Sequence, residues 1–174
     1  MTEREVACAL TYFQGSPFAF TGRYIVRNVY HGLGFNHEVD LLSVNPKTLI
    51  GTEVEIKVTK SDLRRDAKKR HAHGDPRIRQ LYFAGPSEMA DAFFEHVPAD
   101  AGIITVRRKM NYGEKGQARP WYECAIARRS KKQKSYRHPF TQEEVFQLLR
   151  LGGQRYWGLL YKSIAEGISA KWET

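Results

Sequence analysis

The sequence is poor in cysteine and has no long apolar run. Cys8 and Cys124 are its two cysteines, and their spacing matches no metal-ligand motif, so we expect two reduced thiols. No apolar run approaches the length of a membrane span, and the N-terminal stretch MTEREVACAL lacks the apolar core of a signal peptide. We therefore expect an intracellular, cytoplasmic protein that has no membrane partner.

Two common kinds of catalytic motif are also missing. There is no glycine-rich phosphate loop, and no serine or cysteine lies in a recognisable nucleophile motif. A chain of 174 residues with 41% hydrophobic residues is large enough to bury its own core. We expect a single domain over residues 1–174, and the chemistry has to come from other side chains.

Positive charge is concentrated in two segments of the chain. The net charge is +9, and residues 107–137 hold eleven Lys and Arg against two Glu, an excess equal to that of the whole chain. A second basic cluster lies in residues 60–70. Nucleic acid is the expected partner of such clusters, and a solvated basic surface is the alternative. The residues that we expect to contact it are Lys60, Arg64, Arg65, Lys68, Lys69, Arg107, Arg108, Lys109, Arg128, Arg129, Lys131 and Lys132.

Periodicity predicts an α/β fold with a mixed central sheet flanked by helices. Capping boxes at Thr2/Glu5 and Thr141/Glu144 open the first and last helices, and Gly152-Gly153 is a candidate break in the last one. Ser61 or Asp62 is expected to cap a basic helix that runs to about residue 72. The strands are expected at residues 23–30, 37–44, 48–58, 79–86, 101–106 and 121–129. The first three suit an antiparallel meander, and the helices between the next ones favour parallel crossovers.

The stretch GTEVEIKVTK, residues 51–60, alternates charged and aliphatic residues. Glu53, Glu55 and Lys57 would share one face of the third strand, which this topology places in the middle of the sheet. A solvated face explains such a pattern in isolation. In a buried strand, however, three ionisable side chains are costly unless they bind a metal, water or a partner.

Asp40 adds a second carboxylate beside this strand. It lies in EVDLL on the preceding strand, so Asp40 and Glu55 can converge on one divalent cation. Hard oxygen ligands suit Mg²⁺ or Mn²⁺ bound through one or two carboxylates and a substrate phosphate. Lys57 could orient an attacking water or stabilise charge that develops on phosphorus.

The segments EVD (residues 38–40) and EIK (residues 55–57), preceded by a helix and followed by a basic helix, resemble the PD-(D/E)XK nuclease superfamily. EIKVTKSDLRRD, YFAGP and VPADAGIITV are similar to the MmcB-like DNA-repair proteins within it. The resemblance covers about residues 2–106 and implies a restriction-endonuclease-like αβββαβ core. Residues 107–174 would form a C-terminal extension with a basic hairpin and helix.

The resemblance implies a Mg²⁺- or Mn²⁺-dependent deoxyribonuclease that acts in DNA repair, recombination or processing. Asp40 and Glu55 would bind the metal together with the backbone carbonyl of Ile56, and Lys57 would complete the catalytic set. Val39 stands where the name-giving motif has proline.

Many members of the superfamily also use a glutamate on the first helix. Glu3 fits this role better than Glu5, because apolar residues follow Glu3 at the +3, +4 and +7 positions. The alternative is that Glu3 is only a first-turn acid favoured by the helix dipole.

Two other classes of function remain open: a catalytically inactive nuclease-fold module that binds DNA or RNA, and a protein-interaction domain with an acidic partner. The apolar side of the last helix (Phe146, Leu149, Trp157 and Leu160) also permits a homodimer.

Other candidate residues are weaker. His71, His73 and Asp75 resemble a metal-ligand cluster, although HAHGDP is also typical of a polar helix end and turn. Gln80 and Tyr82 are candidates for substrate contact. Aromatic residues interleave with basic ones, as in a surface that stacks single-stranded bases, at Trp121, Tyr122 and Tyr136.

Overall fold

The computed structural model describes residues 1–13, 16–18, 22–30, 33–66, 73–112 and 118–165. Within them lie four α-helices and six strands, with a short 3₁₀ helix at Ser87–Met89 before α3. The elements are α1 (Glu3–Tyr12), β1 (Tyr24–Val29), β2 (Val39–Val44), β3 (Gly51–Ile56), α2 (Lys60–Asp66), β4 (Ile78–Pro86), α3 (Ala90–His96), β5 (Gly102–Tyr112), β6 (Ala118–Arg128) and α4 (Gln142–Ala165).

The six strands form one mixed sheet in the order β1-β2-β3-β4-β5-β6. The strands β1, β2 and β3 form an antiparallel meander, β3 and β4 are parallel, and so are β4 and β5. The last strand, β6, is antiparallel to β5. The predicted mixed α/β class is confirmed, and so are the meander, the parallel crossovers and the central position of the third strand.

Helices cover both faces of the sheet. α1 buries Val6 and Leu10 against Val54 and Ile56 of β3 on one face. On the other face α4 packs over β1 and β2, while α2 and α3 pack over β4 and β5. No helix within the described ranges has the length and apolar character that crossing a bilayer requires. β3 is therefore shielded from solvent on both faces. Any charged side chain on this strand would lose free energy of hydration unless a partner inside the protein compensates for it.

Both predicted capping boxes are present. The Glu5 N–H donates to Thr2 Oγ1 at 3.2 Å and the Thr2 N–H donates to Glu5 Oε2 at 2.7 Å. In the same way the Glu144 N–H donates to Thr141 Oγ1 at 3.2 Å and the Thr141 N–H to Glu144 Oε2 at 2.7 Å. Each box satisfies two amide groups that the first turn of a helix leaves without intrahelical partners.

The predicted cap of the basic helix was wrong. α2 begins at Lys60, and the Asp62 N–H donates to Thr59 Oγ1 at 3.2 Å. Ser61 and Asp62 lie inside the first turn because the chain becomes helical only four residues after β3 ends at Ile56. The described part of α2 ends at Asp66, so its predicted continuation to residue 72 lies outside the described residues.

The expected break at Gly152-Gly153 was also wrong, because α4 continues through both residues. At Gly152 an added Cβ would lie 3.1 Å from Cγ2 of Val26, so the missing side chain lets α4 lie close to β1. The Arg155 guanidinium then donates to the Arg27 carbonyl. Contact with the sheet keeps the helix continuous where local propensity alone would weaken it.

A second glycine permits a close approach between two strands. An added Cβ at Gly85 of β4 would lie 2.1 Å from the carbonyl oxygen of Lys57 and 2.7 Å from Cζ of Phe93. The Lys57 N–H donates to the Ala84 carbonyl at 2.9 Å beside it. The backbone at Lys57 is thus held against β4 just after β3 ends.

Candidate functional site

The charged face of β3 is buried. Glu53, Glu55 and Lys57 are 0%, 4% and 6% exposed, and Val54 and Ile56 pack under α1 on the opposite face. The solvated alternative is therefore excluded. Carboxylates and an ammonium with so little access to water need partners inside the protein.

Asp40 lies at the end of the pairing between β2 and β3. The ladder ends at this side with the pair Leu41 and Val54. Beyond it, the Asp40 Oδ2 accepts a hydrogen bond from the Ile56 N–H at 2.8 Å. A cavity of about 240 Å³ opens here, lined by Glu3, Arg27, Asn28, Glu38, Asp40 and Ile56. Two of the predicted metal-binding residues and the predicted helix glutamate therefore line one opening.

Lys57 is buried, lies outside the lining of this opening and is held by two carboxylates. Its Nζ lies 2.9 Å from Glu55 Oε2 and 3.4 Å from Asp66 Oδ1. Burial disfavours the ammonium, but these two carboxylates and that of Asp40 outweigh it and raise the pKa of Lys57 above its usual value. Burial, reinforced by the Asp40 carboxylate, raises the pKa of Glu55 to about 7 against the opposing charge of Lys57. Asp40, Glu55 and Lys57 thus act on one another electrostatically.

Two histidines meet Glu53 on the same face. His37 Nε2 lies 2.9 Å from Glu53 Oε1, and His73 Nδ1 contacts that same oxygen. His73 Nδ1 also lies 3.8 Å from Glu55 Oε1, and its Nε2 lies 3.5 Å from Asp66 Oδ2. The histidines therefore connect Glu53 to the Glu55 and Asp66 carboxylates that hold the lysine.

Ionisation in this histidine and glutamate group follows from its contacts. The hydrogen bond to Glu53 raises the pKa of His37. Burial lowers the pKa of His73, but hydrogen bonds to Asp66 and Glu53 outweigh it and raise that pKa to about 10. Burial also opposes ionisation of Glu53, yet the two histidines hold its pKa below the usual value.

The two glutamates of α1 differ in their surroundings. Glu3 is exposed and lines the opening beside Asp40. Glu5 closes the capping box and accepts a hydrogen bond from the Tyr122 hydroxyl at 2.8 Å, and the Arg108 guanidinium lies 3.5 Å away. Glu3 therefore lines the opening, whereas Glu5 is occupied by the cap and by Tyr122.

The candidates for substrate contact do not lie at the opening. Tyr82 is buried in the core on the α1 face, where its ring meets that of Phe18 edge-on at 6.3 Å. Gln80 accepts a 3.5 Å hydrogen bond from Thr52. Among the candidates for base stacking, Tyr122 is buried, and Trp121 is 39% exposed with its ring packed edge-on against another aromatic ring.

Most of the basic residues that were predicted to contact nucleic acid are exposed. Arg128 differs, because it is half-buried and its guanidinium donates to the carbonyls of Val97, Pro98 and Ala101. Lys68 and Lys69 lie outside the described residues, as does His71. The exposed ones are Lys60, Arg64, Arg65, Arg107, Arg108, Lys109, Arg129, Lys131 and Lys132.

The sequence predicts His73 as a candidate ligand together with His71 and Asp75, but not as a partner of the charged strand. Asp75 bonds Arg77 instead, and His73 joins His37 and Glu53.

Alternation places Glu53 on the face of Glu55, where it could assist a second metal, although a solvated position at the start of the strand is the favoured interpretation. The structure buries Glu53 completely. His37 comes two residues before β2 and His73 follows α2 by several residues, so only the folded chain brings them together. Asp66, on a helix of basic residues, has no sequence signal that distinguishes it from a surface acid, yet it contacts Lys57 and His73.

No protein-family model matches the chain, and no curated protein and no solved structure matches it either. Its function therefore has to be argued from the site itself.

Proposed function

We propose that the chain is a metal-dependent nuclease of the PD-(D/E)XK type that hydrolyses phosphodiester bonds in DNA. The observation that carries this proposal is the position of Asp40, which lines an opening together with Glu3 and Ile56 and acts electrostatically on Glu55 and Lys57. Glu55 and Lys57 are buried and lie outside the lining of that opening. The mixed sheet, with α1 on one face and a parallel β3-α2-β4 unit, is compatible with the restriction-endonuclease-like core that the motif implies.

The metal would be Mg²⁺ or Mn²⁺. Asp40 and Glu55 offer hard carboxylate oxygens, and the Ile56 backbone lies in the lining of the same opening. The ion would polarise a phosphoryl oxygen and lower the pKa of a bound water.

Lys57 would orient that water and stabilise the negative charge of the transition state. In the present arrangement its ammonium is directed to Glu55 and Asp66. The metal would therefore compete with the ammonium for Glu55, and the substrate phosphate would compete with Glu55 and Asp66 for the ammonium. The exposed arginines and lysines of β5 would bind the phosphate backbone and make binding weaken as salt rises.

The proposal is tested by incubating the purified chain with Mg²⁺ or Mn²⁺ and single-stranded, double-stranded, nicked and branched DNA. We expect cleavage that Asp40→Asn and Lys57→Ala each reduce about a hundredfold or more. Asn at position 40 retains an oxygen for the Ile56 N–H, which protects the fold. Glu88→Gln, at an exposed acid on the 3₁₀ helix, is the matched control and should cut normally. Intact DNA under all these conditions, or equal cleavage by the variants, would refute the nuclease.

A second candidate, a nuclease-fold module that binds DNA or RNA without cutting it, is favoured by the closed ion pairs around Lys57. Glu55 and Asp66 already satisfy its ammonium, and Asp40 already accepts from Ile56. Such a module would bind nucleic acid in a salt-dependent way without a metal requirement, and a gel-shift titration in the presence of a chelator measures this.

A further inference from the structure

We propose that His37, Glu53, Glu55 and His73 form a binding site for a divalent transition-metal ion, with Zn²⁺ as the best match. These four residues lie on the α2 side of β3, and the site shares Glu55 with the proposed nuclease site. Its existence does not depend on whether the chain cuts DNA.

The distances suit a four-coordinate ion. One ligand atom from each residue can be chosen so that all four lie within 4.8 Å of one another. Tetrahedral zinc with bonds of about 2.0–2.2 Å places its ligand atoms about 3.3 Å apart. His37 Nε2 lies 2.9 Å from Glu53 Oε1, and His73 Nδ1 lies 3.8 Å from Glu55 Oε1. Shifts of less than about 1 Å would therefore convert these contacts into a coordination shell.

Both imidazole rings are held from outside the cluster. His37 Nδ1 lies 2.7 Å from Asn36 Oδ1, and His73 Nε2 lies 3.5 Å from Asp66 Oδ2. An oxygen that accepts from the outer nitrogen fixes the tautomer and leaves the inner nitrogen as the ligand, which is the usual arrangement around metal-binding histidines.

Glu53 supplies an independent indication of a missing ligand. It is 0% exposed, and its Oε2 has no hydrogen-bond partner among the residues that the structure describes. Both histidine contacts fall on the other oxygen, Oε1. A buried carboxylate oxygen without a partner is costly, and a cation bound between the carboxylates and the imidazoles would offset that cost.

The donor set selects the class of ion. Two imidazoles and two carboxylates suit Zn²⁺, Mn²⁺ or Fe²⁺, whereas Mg²⁺ prefers oxygen ligands and retains its waters. Asp40 contributes no atom to this set, and neither histidine lines the opening beside Asp40. The two metal sites are thus chemically distinct, although they meet at Glu55.

The test uses the tag-free full-length chain, stripped with a chelator and titrated with Co²⁺ as a spectroscopic stand-in for Zn²⁺. We expect one equivalent to bind with the visible absorption of tetrahedral Co²⁺, to be displaced by Zn²⁺, and to resist a large excess of Mg²⁺. Absence of stoichiometric Co²⁺ binding would show that the four residues are only an ion-pair network.

Variants locate the bound ion. His73→Ala and Glu53→Gln should each weaken Co²⁺ binding by about tenfold to a hundredfold or more, while His138→Ala, at an exposed histidine, should not change it. Glu53→Gln keeps the side-chain shape, so it remains informative if His73→Ala fails to fold, as judged by circular dichroism. Unchanged binding by Glu53→Gln would overturn the proposal.

One further variant separates this site from the nuclease proposal. Asp40→Asn should abolish DNA cleavage and leave the Co²⁺ spectrum intact. If the chain never cuts DNA but still binds Co²⁺ through His73, the nuclease fails and the metal site stands. If the chain cuts DNA but the Co²⁺ spectrum is absent, the proposed metal site fails and the nuclease proposal stands.

Discussion

The carboxylate of Asp40 reaches from β2 to β3, where it accepts a hydrogen bond from the Ile56 N–H at 2.8 Å. The regular ladder between these strands stops at Leu41 and Val54, so a side chain takes the position that a backbone carbonyl would otherwise occupy. The contact fixes Asp40 beside Glu55 while the strands separate. This hydrogen bond thus positions the carboxylate of Asp40 near that of Glu55 by contact between two strands, without a loop.

Removing the buried lysine should destabilise the fold strongly. Lys57→Met removes the ammonium that Glu55 and Asp66 share and leaves His73, at 3.8 Å and 3.5 Å, as a cation that both buried carboxylates still contact. We expect a loss of about 3–5 kcal/mol in the free energy of unfolding. Urea denaturation measures it. The control is Lys109→Met, whose 2.9 Å pair with Glu123 is half exposed and screened by water, so its removal should change the stability little. Similar losses for the two variants would contradict a buried charge network.

The two adjacent glycines of α4 should respond differently to alanine. An added Cβ at Gly153 meets nothing within 4 Å, so Gly153→Ala should raise the free energy of unfolding by about 0.5–1 kcal/mol through helix propensity. At Gly152 the same methyl would lie 3.1 Å from Val26, and steric cost should cancel part or all of that gain. Thermal unfolding of the two variants side by side gives the comparison. A larger gain at Gly152 would show that α4 does not lie against β1.

The two cysteines should differ in reactivity. Cys8 is exposed, while burial raises the pKa of Cys124 to about 11 and so suppresses its thiolate near neutral pH. A chromogenic aromatic disulfide at pH 8 should label one thiol rapidly in the native protein and both in urea. Cys8→Ser should remove the rapid phase and Cys124→Ser should leave it. Rapid labelling of the Cys8→Ser variant would mean that the β6 face is open to solvent.

Acid should weaken the connection between α4 and β4. Arg77 bonds Asp75 and lies 2.7 Å from Glu144. Partial burial opposes ionisation of Glu144, but hydrogen bonds from Thr141 and Arg77 outweigh it and lower its pKa below 4.5. A lowered folded-state pKa gives stability that is present above pH 4.5 and is lost as the pH falls through the folded value.

Glu144→Gln should therefore reduce stability at pH 7 and flatten the decline in stability below pH 4.5. Urea denaturation across this range measures both effects, and Glu143→Gln, at the exposed neighbouring position, is the control. If the stability of the Glu144→Gln variant declined below pH 4.5 as steeply as that of the unmodified protein, the ionised carboxylate would have no stabilising role.

Local signals were sufficient for most of the architecture. Strand alternation and the two capping boxes depend on residues within a few positions of one another. The structure confirms the boxes and a third strand, which covers residues 51–56 of the expected 48–58. The Gly152-Gly153 break failed because contact with Val26 outweighs helix propensity.

Only some of the residues of the candidate site could be predicted from the sequence. Asp40, Glu55 and Lys57 share a short motif on paired strands, so their proximity follows from strand register. His37 and His73 approach Glu53 from two separate turns, and Asp66 comes from a helix. Sequence periodicity does not predict these side-chain contacts, because they depend on how the turns and helices pack against the sheet.

The close approach at Gly85 affects how conservation at this position should be interpreted in sequences aligned with this chain. The position touches no proposed ligand, yet any side chain there would collide with the carbonyl of Lys57 and the ring of Phe93. An invariant glycine in the segment YFAGP would therefore record the crowding of two strands rather than chemistry at that position. A relative that carries alanine there would have had to move the lysine, whatever the rest of its motif retains.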